Sequence, residues 1–148
     1  MDTSVLVAIS NKRDMHHYKG RKLLRSILRE KPRSRIYVSD YIIDESISVV
    51  LARTKAKPDM LRRKIIGRID YMVYHSRFFR VIHVDEISLS SALSYLRKEK
   101  FPLVSLTDWT VAVMMKNLSI TEILSLDKDF DEISKLTDFS FIKRIGQL

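Results

Sequence analysis

Three acidic residues stand where the sequence otherwise reads as core. Asp108 follows Thr107 at the mouth of an apolar helical run, Asp127 follows the stretch Ile123-Leu124-Ser125-Leu126, and Glu45 is surrounded by Ile42, Ile43, Ile47, Val49 and Val50. A carboxylate in apolar surroundings has to be paired with a cation, hydrogen-bonded or bound to a metal, because desolvation penalises the lone charge. Each residue also has a plainer reading. Asp108 suits the first turn of a helix through the macrodipole, Asp127 sits in "DKDFD", which reads as an Asx turn, and Glu45 can find an Arg or Lys. Asp85 also follows an apolar strand, and Asp2 reads as a terminal or capping residue, so position alone selects no site. Other chemistries are poorly supplied. There are no cysteines, the four histidines (His16, His17, His75, His83) lack a paired metal spacing, and three glycines leave no room for a Gly-rich phosphate loop or a dinucleotide fingerprint. No Ser-His-Asp or Cys-His arrangement can be argued.

The elements that would position these carboxylates alternate along the chain. "RDMHHYKGRKLLRSILRE" spaces Tyr18, Leu23, Leu24, Ile27 and Leu28 at helical intervals with basic residues between them, and Pro32 ends the helix. "RIYVS" is a short strand, and Ser39-Asp40 offers capping oxygens to a helix over residues 41–53. Pro58 and Asp59 open a second basic helix, and "FFRVIHVDEISLSSALSYLRKEK" reads as a strand and then a helix. "LTDWTVAVMMKNL" predicts a helix apolar on nearly all sides, "EILSL" a buried strand and "FSFIKRI" a last strand. The apolar run "SVLVAI" taken alone predicts a strand. Strands separated by helices imply an α/β fold with a parallel sheet covered on both faces, whose active crevice lies beyond the carboxyl ends of the strands. Asp127 and Asp108 are placed for such a crevice.

A chain of 148 residues is most simply one domain, residues 1–148, able to bury about 70% of its unfolded surface. Hydrophobic residues make up 45% and charged residues 30%, with no apolar run near the ~20 residues of a membrane span, so the composition is that of a globular protein without a membrane helix. No secretion signal is legible, and a cytoplasmic home is expected. The net charge of +9 is uneven. Residues 1–80 carry 19 Lys/Arg against 8 Asp/Glu, net +11, and residues 81–148 carry 8 against 10, net −2. Ten of the basic residues fall in 12–35 and seven in 53–68. That footprint suits a phosphate backbone, the plainer alternative being solvated helix faces.

Taken together, "MDTSVLVA", "VSDYIIDES", "SLTDWTVAV" and "ILSLDKDFD" resemble the PIN-domain nucleases, most closely the small VapC-type ribonuclease toxins of toxin–antitoxin systems. The resemblance runs over nearly the whole chain and implies a three-layer α/β/α sandwich with a central, mainly parallel sheet. Carried over by position, the family's acidic cluster falls on Asp2, Glu45, Asp108 and Asp127, with Asp129 as the alternative fourth carboxylate and Thr3 or Ser4 and Thr107 as hydroxyl neighbours. It also makes "SVLVAI" the start of the first helix. In this family the first Asp ends a buried strand, but here only Met1 precedes Asp2, so that strand is expected to be absent or nearly so.

Four carboxylates in one cleft repel one another, so that one takes up a proton or a cation enters. Oxygen ligation without Cys or His favours Mg²⁺ or Mn²⁺, and the reaction implied is metal-dependent hydrolysis of RNA phosphodiester bonds, with Lys and Arg of the first half holding flanking phosphates. The partners implied are RNA, a small antitoxin protein and a second copy of the chain. A homodimer also suits the apolar Tyr71, Met72 and Tyr74, which outrun one small core. Two other readings stand beside the toxin: a housekeeping RNA-processing nuclease, and a catalytically silent nucleic-acid-binding scaffold.

Overall fold

The computed structural model describes residues 1–101 and 103–146. It opens with helix α1 (Thr3–Ser10), which is buried along nearly its whole length. A helix apolar all round shows no 3.6-residue period, and for that reason the strand reading of "SVLVAI" fails while the helix implied by family resemblance is found. Then come α2 (His17–Glu30), β1 (Ile36–Ser39), α3 (Asp40–Thr54) and α4 (Asp59–Asp70), the last running on into a π-helical turn, Tyr71–His75. β2 (Phe79–Ile82), α5 (Glu86–Lys98), α6 (Leu106–Asn117) and β3 (Glu122–Leu124) continue the alternation. A short helix α7 (Asp129–Ile133) and a 3₁₀ turn (Thr137–Phe139), neither expected from the sequence, precede β4 (Lys143–Ile145).

The fold is α/β with parallel strands, as expected. β1 pairs with β2 from Ile36↔Phe79 to Ser39↔Ile82, and β3 pairs with β4 from Glu122↔Lys143 to Leu124↔Ile145. Among the described residues these are two separate ladders, not one continuous sheet, and the first two residues bridge them. The Met1 ammonium donates to the Tyr37 carbonyl at 2.9 Å, and the Asp2 amide donates to the Leu124 carbonyl at 2.9 Å. Behind Met1 lies a hollow of about 230 Å³, walled by Ile36 and Tyr37 on one side, Ile123 and Leu124 on the other, and Val111 and Met115 from α6. Burial lowers the Met1 amine to about 6 from the usual 8.0.

Helices α1 to α4 pack on one another, α5 packs on α6, and α3 joins the two groups through α6. Trp109, fully buried, stacks on Tyr95 at 5.4 Å and tilts against Phe139 at 5.9 Å. This aromatic cluster fixes the first turn of α6, and with it Asp108. No helix among the described residues is long and apolar enough to cross a membrane.

Candidate active site

Asp2 stands at the amino end of α1, where its Oδ1 accepts the Thr3 amide at 2.6 Å. Its Oδ2 accepts two hydroxyls, Ser4 Oγ at 2.6 Å and Ser125 Oγ at 2.8 Å. Ser4 Oγ in turn accepts the Leu126 amide at 3.0 Å, tying the start of α1 to the segment leaving β3. Ser125 Oγ also lies 3.1 Å from Asp127 Oδ1 and accepts the Asp127 amide at 3.3 Å. A hydroxyl has one proton, so Ser125 serves Asp2 or Asp127 at any moment and leaves the other carboxylate short of a donor. Burial first, and the charge of Asp127 second, push Asp2 up to about 6.

Asp108 is the third residue of α6 and closes a capping box with Ser105. Its Oδ2 accepts Ser105 N at 2.8 Å and Ser105 Oγ at 2.7 Å, while Ser105 Oγ accepts the Asp108 amide at 3.2 Å. The plain reading of Asp108 as a cap is therefore correct as geometry, but it does not satisfy the charge. Burial pushes this carboxyl up to about 7, helped by the charges of Asp2 and Asp129 and opposed by the bonds from Ser105. Glu45 is half-buried on α3, with its Oε2 accepting Thr3 Oγ1 at 2.5 Å. Asp129 opens α7, and its carboxyl is raised by burial and then by Asp127.

These side chains line one cleft of about 310 Å³. Asp2, Glu45, Asp108, Asp127 and Asp129 all contribute, from the start of α1, the body of α3, the first turn of α6, the segment between β3 and α7 and the first residue of α7, together with Thr3, Ser4 and Ser105. Among the described residues no Lys, Arg or His forms an ion pair with any of these carboxylates. Arg53 lines the rim but is engaged with Asp14 at 2.9 Å. Asp108 Oδ1, Glu45 Oε1 and Asp127 Oδ2 receive no hydrogen bond from the described residues. A surplus of unpaired carboxylate oxygens crowded into one cleft, with Asp2 and Asp108 pushed up by burial and by neighbouring charge, is the chemistry a hard divalent cation answers. No three His, Asp or Glu side chains among the described residues stand close enough to enclose an ion as they are. The donor set thus fits an ion bound through one or two carboxylates with the rest of its shell open, as Mg²⁺ prefers, and does not fit a closed cage.

One sequence expectation changes here, and Asp85, which position alone did not separate from the site, is placed. Thr107 does not line the cleft; the hydroxyl beside Asp108 belongs to Ser105. Asp85 lies away from it and caps α5, accepting the Ser88 amide at 2.7 Å. Ser125 was missed, although a hydroxyl two residues before Asp127 was there to be read, and so was His16 at the rim.

The model of the PIN domain matches residues 1–136. The chain belongs to the PIN-domain family. Every carboxylate of the cleft falls within that span of the PIN domain. Among solved structures it is similar to the Mycobacterium tuberculosis toxin VapC20, described as a sarcin-ricin loop cleaving toxin, with a TM-score of 0.73 and 22% identity over 89% of this chain and 92% of that one. At that identity the likeness concerns the fold. No curated protein matches the PIN domain of this chain.

Proposed function

We propose that this PIN domain is a divalent-metal-dependent endoribonuclease that hydrolyses RNA phosphodiester bonds, and that it acts in the cytoplasm as the toxin of a toxin–antitoxin pair. The observation that carries this reading is the convergence of Asp2, Glu45, Asp108, Asp127 and Asp129 on one cleft, none of them ion-paired to a Lys, Arg or His among the described residues. Asp2, Glu45, Asp108 and Asp127 are the residues that would gather around Mg²⁺ or Mn²⁺, one or two of them in direct contact and the others through its water shell, with Asp129 adding negative charge beside them. When bound, such an ion offsets the repulsion among the carboxylates, polarises the scissile phosphoryl group and activates water.

The chain's own contribution is placement. Ser4 and Ser125 hold Asp2, Ser105 holds Asp108 and Thr3 holds Glu45, so the open oxygens are set before substrate arrives. The toxin role is supported by the similarity in fold to VapC20, and it implies a small antitoxin whose peptide covers the cleft. A homodimer is part of the same proposal, because Met60, Tyr71 and Tyr74 leave exposed apolar surface along α4 and the π-helical turn.

The test is cleavage of structured RNA by purified protein with Mg²⁺, with Mn²⁺ and with chelator, using Asp108→Asn in parallel. Divalent-dependent internal cuts that vanish in the variant are expected, and growth arrest on induction should follow the same pattern. Cuts that persist in chelator, or an Asn variant as active as the parent, would overturn the assignment.

A further inference from the structure

The outer face of α2 carries Tyr18, Lys22, Arg25 and Arg29, spaced by four, three and four residues, which places them on one helical stripe. Tyr18 is 79% exposed, and Arg21 stands exposed beside the stripe. Among the described residues none of these basic side chains forms an ion pair. The other basic helix differs. On α4, Arg62 and Arg63 both engage Asp59, so the expectation that the basic residues of 53–68 hold phosphates meets two cations already occupied.

The stripe is also firmly mounted and leads from the acidic cleft. His16 and Asp14, just ahead of α2, line the cleft rim. Gly20 lets α2 lie directly on α1, since a Cβ there would meet Ile9 Cγ2 at 3.1 Å and Ala8 Cβ at 3.2 Å. His17 Nδ1 is bonded to the Ala8 carbonyl at 2.8 Å. The apolar side of α2, with Leu23 buried and Leu24, Ile27 and Leu28 packed on the core, is already covered, so the opposite face is left cationic, with one aromatic ring at the end nearest the cleft.

Cations without counter-charges next to an exposed aromatic ring match a single-stranded nucleic acid, whose phosphates take the charges and whose unstacked base takes the ring. Resting on the ribonuclease reading above, we propose that the stripe Tyr18, Lys22, Arg25 and Arg29 is the track that holds an unpaired RNA segment flanking the cleaved phosphate, with one base stacked on Tyr18.

The test uses the full chain with Asp108→Asn to prevent cleavage, chelator throughout, and a fluorescent unpaired oligouridine whose affinity is read by anisotropy across a salt series. Neutralising Lys22, Arg25 and Arg29 together to Gln should flatten the log–log salt slope by about 2, at roughly 0.7 for each phosphate left without its cation. Tyr18→Ala should weaken binding by about 5- to 150-fold, the equivalent of roughly 1–3 kcal/mol per stacked base. The matching α4 variant, Arg62, Arg63 and Lys64 to Gln, should leave the slope close to that of the parent. Circular dichroism confirms that each variant is folded. RNA binding with an unchanged slope in the α2 variant would overturn the track alone. No binding by the parent at low salt would overturn the track and the ribonuclease reading together.

Discussion

Replacing Asp108 by Asn removes a charge that the folded protein holds at a disadvantage. The carboxyl titrates at about 7 in place of its ordinary 3.8, chiefly through burial, so its ionised form is disfavoured by about 4 kcal/mol in the metal-free protein. Below pH 3.8 the group is protonated in both folded and unfolded chains and contributes nothing. Between 3.8 and 7 the unfolded chain releases the proton while the folded one keeps it, so stability falls as pH rises through that window and stays low above it. Asn escapes this loss. Against the gain stands the helix-dipole contribution, roughly 0.3–1 kcal/mol, the bonds from Ser105 being already included in the raised pKa. At pH 8 in chelator the variant should therefore be more stable by about 3 kcal/mol, or about 6–12 °C in melting temperature for a domain of this size. At pH 4 the advantage should vanish. Adding Mn²⁺ at pH 8 should raise the melting temperature of the parent and leave that of the variant in place. A variant less stable than the parent by the same margin at both pH values would show that Asp108 is only a cap and that the carboxylate repulsion is absent.

Ser125→Ala removes the donor that Asp2 shares with Asp127 and leaves a buried carboxylate oxygen with one hydroxyl fewer; urea melts in chelator should show a loss of about 1–3 kcal/mol. Gly146→Ala places a Cβ 1.8 Å from the Ser125 carbonyl oxygen, so the strand end must shift. A loss of about 1–3 kcal/mol is expected, with weaker metal-induced stabilisation because Ser125 moves, and an unaltered melt would count against the close approach. Charging the exposed apolar face with Tyr71→Glu and Tyr74→Glu should convert a dimer to a monomer in sedimentation without loss of helical signal; a parent that already sediments as a monomer sinks the homodimer.

Much of the scaffold was legible because its signals are local. Ser39 accepts the Ile42 amide at 3.3 Å at the start of α3, and the short runs around Ile36 and Ile123 became strands between helices. Periodicity failed at residues 5–9, since a helix buried on all sides and a buried strand look alike in sequence. α7 was missed because five residues are too few to show a period, although Asp129, Asp131 and Glu132 in its first turn suit a helix start. The acidic residues drew attention by their apolar surroundings, but that Asp2, Glu45, Asp108 and Asp127 belong together came only from resemblance, because convergence is a property of topology and not of spacing. The pairing of Asp59 with Arg62 and Arg63, three and four residues on, was readable and shows how a basic segment can be less available than its charge count suggests.

The bridge made by Met1 bears on how this protein should be handled. Its amine sits between the β1 and β3 backbones, bonded to the Tyr37 carbonyl and titrating near 6, so at neutral pH it is mostly uncharged. An affinity tag fused there would have to thread the apolar hollow behind Met1. A leader that ends in small or β-branched apolar residues keeps the bond to Tyr37 as an ordinary peptide N–H and fills the space. A histidine or glycine-serine leader would push polar groups into the same 230 Å³ and pull on Asp2, the next residue along. Differences in activity between tagged preparations of this protein would then report the leader as much as the enzyme.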